Sequence, residues 1–328
     1  MEHCSDMVGA GRRWSAILFT LLLLSSLLPT GHSEPEEEAF QRPESLIVNI
    51  EQTVPHDGGA YTQGLEFYEG RLFESTGLRG VSTLREVEVE TGTVLRSIDL
   101  NETEFGEGIT FVGEEIIQLT WQKGVAHRYR YDTFEATGNH TFDGEGWGLA
   151  FDGSRLIMSD VSDVLTYRNA TTFEAEGTVN VTLNGEPLYR LNELEWYQGL
   201  LLANVYQSEE IVGIDAVSGV VVLQIDASGL KPEGGHVLNG IAWDRQTDSL
   251  WITGKNWTEM HRISFVSPQP EPEPDPNISE EGSSTVEGGS SGVWVLPVLS
   301  LLVLVVLALL AMNLKDGEPD PEDGGPSE

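Results

Sequence analysis

The sequence predicts an all-β fold, a five-bladed β-propeller, and three observations carry that prediction. A short motif recurs as Gly64-Leu-Glu-Phe67, Gly108-Ile-Thr-Phe111, Gly148-Leu-Ala-Phe151, Glu193-Leu-Glu-Trp196 and Gly240-Ile-Ala-Trp243, with first residues 44, 40, 45 and 47 positions apart. That period suits a propeller blade and is too long for leucine-rich or ankyrin units. Each repeat divides into several short, β-rich runs separated by glycine-containing turns. No stretch carries a convincing helical period.

In order along the chain, residues 1–33 read as a secretory signal: Arg12 and Arg13 precede an apolar run from Trp14 to Leu28, Pro29 ends it, and small residues follow. The single cysteine, Cys4, lies inside this segment, so cleavage leaves no thiol chemistry. Residues 34–45 form an acidic leader. The propeller is expected over 46–266. Its first run, Leu46 to Val54, alternates as a strand before any repeat begins, and an orphan strand of this kind closes a propeller by pairing with the last blade. Its expected partner is Trp251 to Phe265.

In the first repeat the strands are expected at Gly64 to Tyr68, Arg71 to Ser75, Leu84 to Glu90 and Val94 to Leu100, with turns at Glu69-Gly70, Gly77 to Gly80 and Thr91-Gly92. The fourth repeat follows suit with Glu195 to Tyr197, Leu200 to Val205, Glu210 to Asp215 and Val220 to Ile225, turning at Gln198-Gly199 and Ser218-Gly219. After the propeller, residues 267–292 are a Pro/Glu/Ser/Gly-rich linker. Residues 293–312 are free of charge and long enough to span a bilayer, with Trp294 at an interfacial position. An acidic tail, 313–328, ends the chain. The expected arrangement is an exported, cell-surface protein whose propeller is tethered outside the membrane. Six Asn-X-Ser/Thr sequons begin at Asn101, Asn139, Asn169, Asn180, Asn256 and Asn277.

The net charge is -35, from 53 acidic and 18 basic residues. Such a surface repels nucleic acid and anionic lipid. Lysine occurs only at positions 123, 231, 255 and 315, and carboxylate-rich, lysine-poor surfaces suit high salt, where self-repulsion is screened. Halophilic adaptation is therefore expected, with a melting temperature that rises from dilute buffer to molar salt. Equal melting temperatures in the two would contradict it.

The seven histidines show no paired spacing and no carboxylate loop resembles a calcium site, so a metal centre is not suggested. There is no phosphate loop and no Gly-x-Ser-x-Gly elbow. What remains is a set of polar and aromatic residues at the blade starts: Gln63, Glu107, Trp121, Trp147, Asn192, Tyr206 and Lys255. Blade-start loops ring one mouth of a propeller, so these can meet there.

Around these residues the chain resembles the plant- and bacterial-type glutaminyl-peptide cyclotransferases, from about Tyr61 to Phe265. The carriers are Tyr61-Thr-Gln-Gly-Leu65, Glu74-Ser-Thr-Gly-Leu78, Phe105-Gly-Glu-Gly-Ile-Thr110, Gln118-Leu-Thr-Trp121, Glu145-Gly-Trp-Gly148, Leu191-Asn-Glu-Leu-Glu195, Ala203-Asn-Val-Tyr206, Leu238-Asn-Gly-Ile241 and Thr253-Gly-Lys255. The resemblance implies a five-bladed propeller that converts the N-terminal glutamine of a peptide or protein into pyroglutamate, releasing ammonia and using no metal or other cofactor. It implies that Glu107 transfers protons, that Gln63, Asn192 and Lys255 are polar site residues, and that Phe105, Trp121 and Trp147 form aromatic walls. Tyr206 stands where the family commonly has Trp, and Tyr61 where it commonly has Phe. Whether Gln63, Asn192 and Lys255 bind the substrate or stabilise a developing oxyanion is left open by the residues alone. The protein is taken as a monomer with peptide substrates, no nucleic-acid partner and a membrane tether. The alternative is a membrane-tethered propeller that binds peptides or glycans without chemistry.

Overall fold

A computed structural model describes residues 42–269, and every regular element in that span is a strand. The expected signal, most of the acidic leader, the linker, the spanning segment and the tail lie outside the described residues. Among the described residues no helix is long and apolar enough to cross a membrane.

The chain enters through β1 (Glu44–Pro55). A first four-stranded sheet follows, β2 (Thr62–Tyr68), β3 (Arg71–Thr76), β4 (Thr83–Glu88) and β5 (Thr93–Asp99). The second is β6 (Gly106–Val112), β7 (Glu115–Thr120), β8 (Val125–Arg130) and β9 (Ala136–Thr141). The third is β10 (Leu149–Phe151), β11 (Arg155–Met158), β12 (Val164–Asn169) and β13 (Ala175–Asn180). A small hairpin, β14 (Thr182–Leu183) and β15 (Glu186–Pro187), sits in the next connection. Then come β16 (Leu191–Tyr197), β17 (Leu200–Val205), β18 (Glu210–Ile214) and β19 (Val221–Asp226), and finally β20 (Leu238–Asp244), β21 (Ser249–Gly254) and β22 (Glu259–Val266). These last two groups belong to one eight-stranded sheet ordered β16-β17-β18-β19-β1-β22-β21-β20.

Strand β1 explains that join. From Ile47 to Pro55 it pairs antiparallel with β22, as expected for the orphan strand, and the pairing runs from Val266 to Glu259. Its first four residues, Glu44 to Ile47, instead pair in parallel with Leu223 to Asp226 of β19. The sequence reading did not anticipate this second pairing. One strand thereby covers the open edges of two neighbouring groups.

The expected turns form where the backbone demands them. Glu69 and Gly70 have φ of 52° and 75°, and Gln198 and Gly199 have 48° and 91°, the positive pair that matches a tight hairpin to the twist of its strands. Burial falls from the inner strand of each sheet outward. In β2 the first six residues are buried, whereas β5 alternates exposed and half-buried positions. An inner strand covered on both faces needs apolar and small residues throughout, and an outer strand needs only one apolar face.

Among the described residues, five apolar clusters fill the spaces between neighbouring groups. Phe73 and Leu84 meet Ile109 and Phe111; Ile117 and Leu119 meet Leu149 and Leu156; Ile157 and Leu165 meet Leu194 and Leu201. Leu202 and Ile211 meet Ile241 and Leu250, and Ala242 and Trp251 return to Leu65 and Phe67 of the first sheet. Each such side chain contributes roughly 1.5–3 kcal/mol on burial. The result is an all-β, propeller-like ring of face-packed sheets.

The repeated glycine of the motif lets inner strands approach. A Cβ on Gly64 would lie 2.6 Å from the backbone nitrogen of Ile109, and one on Gly108 would lie 2.6 Å from the Trp147 carbonyl. The fourth repeat has Glu193 instead. Its carboxyl group accepts the backbone N–H of Ile241 at 2.9 Å and that of Leu65 at 3.4 Å, so it links three inner strands across the axis. Burial pushes this carboxyl well above the usual range.

Candidate active site

Inner strands and their neighbours run antiparallel, so the start of each inner strand lies beside the end of the second strand. The registers Thr62 with Thr76, Gly106 with Thr120, Leu191 with Val205 and Leu238 with Gly254 all mark this end. Gln63, Glu107 and Asn192 each occupy the second position of an inner strand. Trp121, Tyr206 and Lys255 each follow the last residue of a second strand. Tyr61, Phe105 and Trp147 lie just before inner strands.

A second device aims the polar side chains. The ladder register shifts between Thr62 and Gly64, Gly106 and Ile109, Leu191 and Leu194, and Leu238 and Ile241. Gln63, Glu107 and Asn192 therefore sit in bulges, which break the alternation of a strand and redirect a side chain. Asn239 occupies the same bulge in the last group. Asn239 lies within Leu238-Asn-Gly-Ile241, where nothing in the sequence alone marks it as a site residue.

Three of the four bulges are joined by a buried polar chain. Asn239 Nδ2 donates to the Thr62 carbonyl at 2.9 Å and to Gln63 Oε1 at 3.3 Å. Gln63 Nε2 in turn donates to Glu107 Oε1 at 3.3 Å. The Thr62 carbonyl fixes which atom of the Asn239 amide is nitrogen, and Gln63 is oriented in consequence. Glu107 is 4% exposed, Gln63 1% and Asn192 2%, and the Oδ1 atoms of Asn192 and Asn239 are buried acceptors with no donor among the described residues. Acceptors so placed are suited to the N–H groups of a bound amine or amide.

Aromatic rings surround this chain. Tyr61 packs edge-on to Phe105 with centroids 6.2 Å apart, and Phe105 does the same with Trp121 at 5.6 Å. Trp147 and Tyr206 meet at 5.6 Å. Lys255 is fully buried and closes the circuit, with Nζ 4.7 Å from the Tyr61 ring centre and 5.0 Å from that of Tyr206. Two aromatic faces offset part of the cost of burying its ammonium group. All nine side chains expected at the site are thus at one mouth. Gly77 makes room for two of them, since a Cβ there would lie 2.3 Å from Phe105 and 3.1 Å from Gln63 Cγ.

Glu145 completes the wall and was missed as a site residue, although it stands in the quoted Glu145-Gly-Trp-Gly148. Its Oε2 accepts the indole N–H of Trp121 at 2.9 Å and that of Trp147 at 3.1 Å, while Oε1 accepts Gln122 Nε2 at 3.1 Å. No spacing rule signals a carboxylate that orients two indoles from separate sheets. Removing it in Glu145→Ala frees both rings, and KM is expected to rise about 5- to 30-fold, about 1–2 kcal/mol of lost binding order, with little change in kcat. Steady-state kinetics check this. Among the described residues, no group of three or more His, Cys, Asp or Glu side chains is arranged to hold a metal ion.

The family model described as glutamine cyclotransferase matches residues 21–265. A glutaminyl-peptide cyclotransferase of Arabidopsis thaliana is 36% identical over 228 residues, covering 66% of this chain and 70% of that protein. The crystal structure of Myxococcus xanthus glutaminyl cyclase matches with a TM-score of 0.66 at 33% identity, covering 70% of this chain and 100% of the other.

Proposed function

The chain belongs to the glutamine cyclotransferase family, and from that premise we propose that its mouth of bulged polar residues and aromatic rings is the site where an N-terminal glutamine closes into pyroglutamate. The observation that carries this reading is the hydrogen bond from Gln63 to the buried Glu107 inside a ring of aromatic side chains. A five-bladed count fits the five apolar interfaces, with the eight-stranded sheet taken as two blades stapled by β1.

The chemistry follows from the groups present. The neutral α-amine of the substrate attacks its own γ-carbonyl carbon, a C–N bond forms, and the oxygen gains charge. Glu107 takes the proton released by the attacking nitrogen and returns it to the amide nitrogen, whose C–N bond then breaks to release ammonia. Lys255, held between the Tyr61 and Tyr206 rings, serves as the cation for the developing oxyanion, and the Oδ1 atoms of Asn192 and Asn239 accept N–H groups of the substrate. The aromatic walls hold the glutamine folded, so a reaction that is already intramolecular starts from near-attack geometry. Tyr206 preserves a wall against Trp147 and a face for Lys255.

Three peptides identical but for a first residue of Gln, Asn or Glu test the reading. Ammonia is expected from the Gln peptide alone, since Asn would have to close a strained four-membered ring and Glu has no amide to lose. Binding of all three without ammonia would replace the enzyme with a non-catalytic propeller. The apolar run from Trp14 to Leu28 behind Arg12 and Arg13, and the charge-free run at 293–312, are the sequence features that support a propeller exported and tethered at the outer face of a membrane.

A further inference from the structure

Behind the side chains of the mouth, a buried charged cluster gathers where β1 ends and β22 begins. Glu74, on β3, is fully buried. Its Oε1 accepts Thr62 Oγ1 at 2.6 Å and faces His56 Nε2 at 3.1 Å, and its Oε2 accepts Arg85 Nε at 2.8 Å. Arg85, on β4, also donates from Nη1 to Asp57 at 2.8 Å. The other ring nitrogen of His56, Nδ1, lies 2.8 Å from the backbone carbonyl of Trp257.

Both partners of His56 accept. A backbone carbonyl has no proton to give, and Glu74, which already accepts from Arg85 and Thr62, is a carboxylate. Thr253 Oγ1, 3.4 Å from Nδ1, spends its proton on the Glu259 carbonyl at 2.9 Å, so it too presents a lone pair. An imidazole that faces acceptors at both nitrogens carries a proton on each.

The cluster underlies three residues of the mouth. Thr62 separates Tyr61 from Gln63. Trp257 lies two residues beyond Lys255, in a turn tied to the 56–60 segment by His56 N to Thr258 O at 2.9 Å and Asn256 N to Ala60 O at 2.6 Å. Asn256 Nδ2 adds a bond to the Gly58 carbonyl at 3.1 Å. We infer that His56 is a resident imidazolium and a positioning residue for the reaction: bridging Glu74 to the Trp257 carbonyl, it holds the Lys255 turn against Tyr61 and Gln63. The role in catalysis rests on the functional reading above, whereas the charge state does not.

The charged groups that face His56 are Glu74 from β3 and Arg85 from β4, with Asp57 beyond Arg85; β2 and β21 offer only the hydroxyls of Thr62 and Thr253. Burial would lower the His56 imidazole, but the charge and hydrogen bond of Glu74 overcome it and raise it above the ordinary value. Burial would raise the Glu74 carboxyl, yet His56 and Arg85 hold it at about 2. A folded value above the unfolded one places the His56 contribution to stability fully below about pH 6.5 and removes it as pH rises through the folded value.

Nitrogen-detected NMR of the imidazole rings in the full-length protein, assigned through the coupling of each ring to its own backbone, tests the charge. Two protonated ring nitrogens for His56 at about pH 7, with a midpoint above about 6.5, are expected. A neutral His56 ring at that pH overturns the inference whether or not the variant folds. For positioning, His56→Gln is expected to lower kcat/KM about tenfold and to lack the alkaline decline expected of the wild type. A folded variant with the wild-type pH profile overturns that role. Absence of ammonia release by the wild type would strike the functional reading instead, leaving the NMR result to decide the charge.

Discussion

Glu107→Gln is expected to lower kcat by about 10²–10⁴-fold, the usual worth of a positioned general acid–base, with the melting temperature little changed. The substituted amide keeps a carbonyl oxygen where Gln63 Nε2 donates at 3.3 Å, so the bulged chain from Asn239 survives. It loses the ability to take a proton from the attacking amine. The amide also keeps the volume of the side chain it replaces, which is why little loss of stability is expected. Single-turnover assays with thermal denaturation of the same sample measure both. A variant with near-native turnover would remove Glu107 from the mechanism, and a strongly destabilised one would make its role structural.

Gly148→Ala is expected to damage fold and site together. The new Cβ would lie 2.0 Å from the Asn192 carbonyl oxygen and 2.7 Å from Leu194 Cγ. That carbonyl is fixed by Ser159 Oγ at 2.8 Å, and the same hydroxyl accepts the Gly148 N–H at 2.8 Å, so backbone on both sides must move. Overpacking of this kind costs about 1–3 kcal/mol or more, roughly 2–12 °C for a domain of this size. The displaced strands carry Asn192 and Trp147, so kcat/KM should fall by about 10²-fold as well. Gly177→Ala on β13 is the control, because its Cβ would meet only Tyr167 Cδ2 at 4.0 Å. Loss of activity without loss of stability would contradict the packing argument.

Much of the fold was legible because its causes are local. Two residues with positive φ are needed to turn β2 into β3, and Glu69-Gly70 announces that requirement; Gln198-Gly199 does the same for β16 and β17. The Asn184-Gly185 turn between β14 and β15 follows the same rule, with φ of 54° and 85°, and was overlooked because its strands are only two residues long. The parallel contact of β1 with β19 has no local cause, since Glu44 to Ile47 carry no mark of which edge they will meet.

At the candidate site, the side chains that gather at one mouth were legible, because Glu107, Gln63 and Asn192 recur at the starts of inner strands and, with Lys255 at the end of a second strand, match a family pattern. The bulges that aim them were not, since a register shift is a property of two strands. Glu145 and Asn239 stood inside quoted motifs yet act by orienting other side chains, Trp121 and Trp147 in one case and Gln63 in the other. The His56–Glu74 pair, 18 positions apart in sequence, has no motif. Its meaning lies in a carbonyl and a carboxylate that only folding brings to one ring.

The most direct measurement is the product of a synthetic Gln-initiated peptide incubated with the full-length protein and, in parallel, with Glu107→Gln, in the presence of a chelator and at low and high salt. Ammonia release and loss of the mass of one ammonia above the spontaneous rate by the wild type, and not by the variant, are the predicted result. Equal rates for the two proteins, or no product from a folded wild type at any salt, would contradict it.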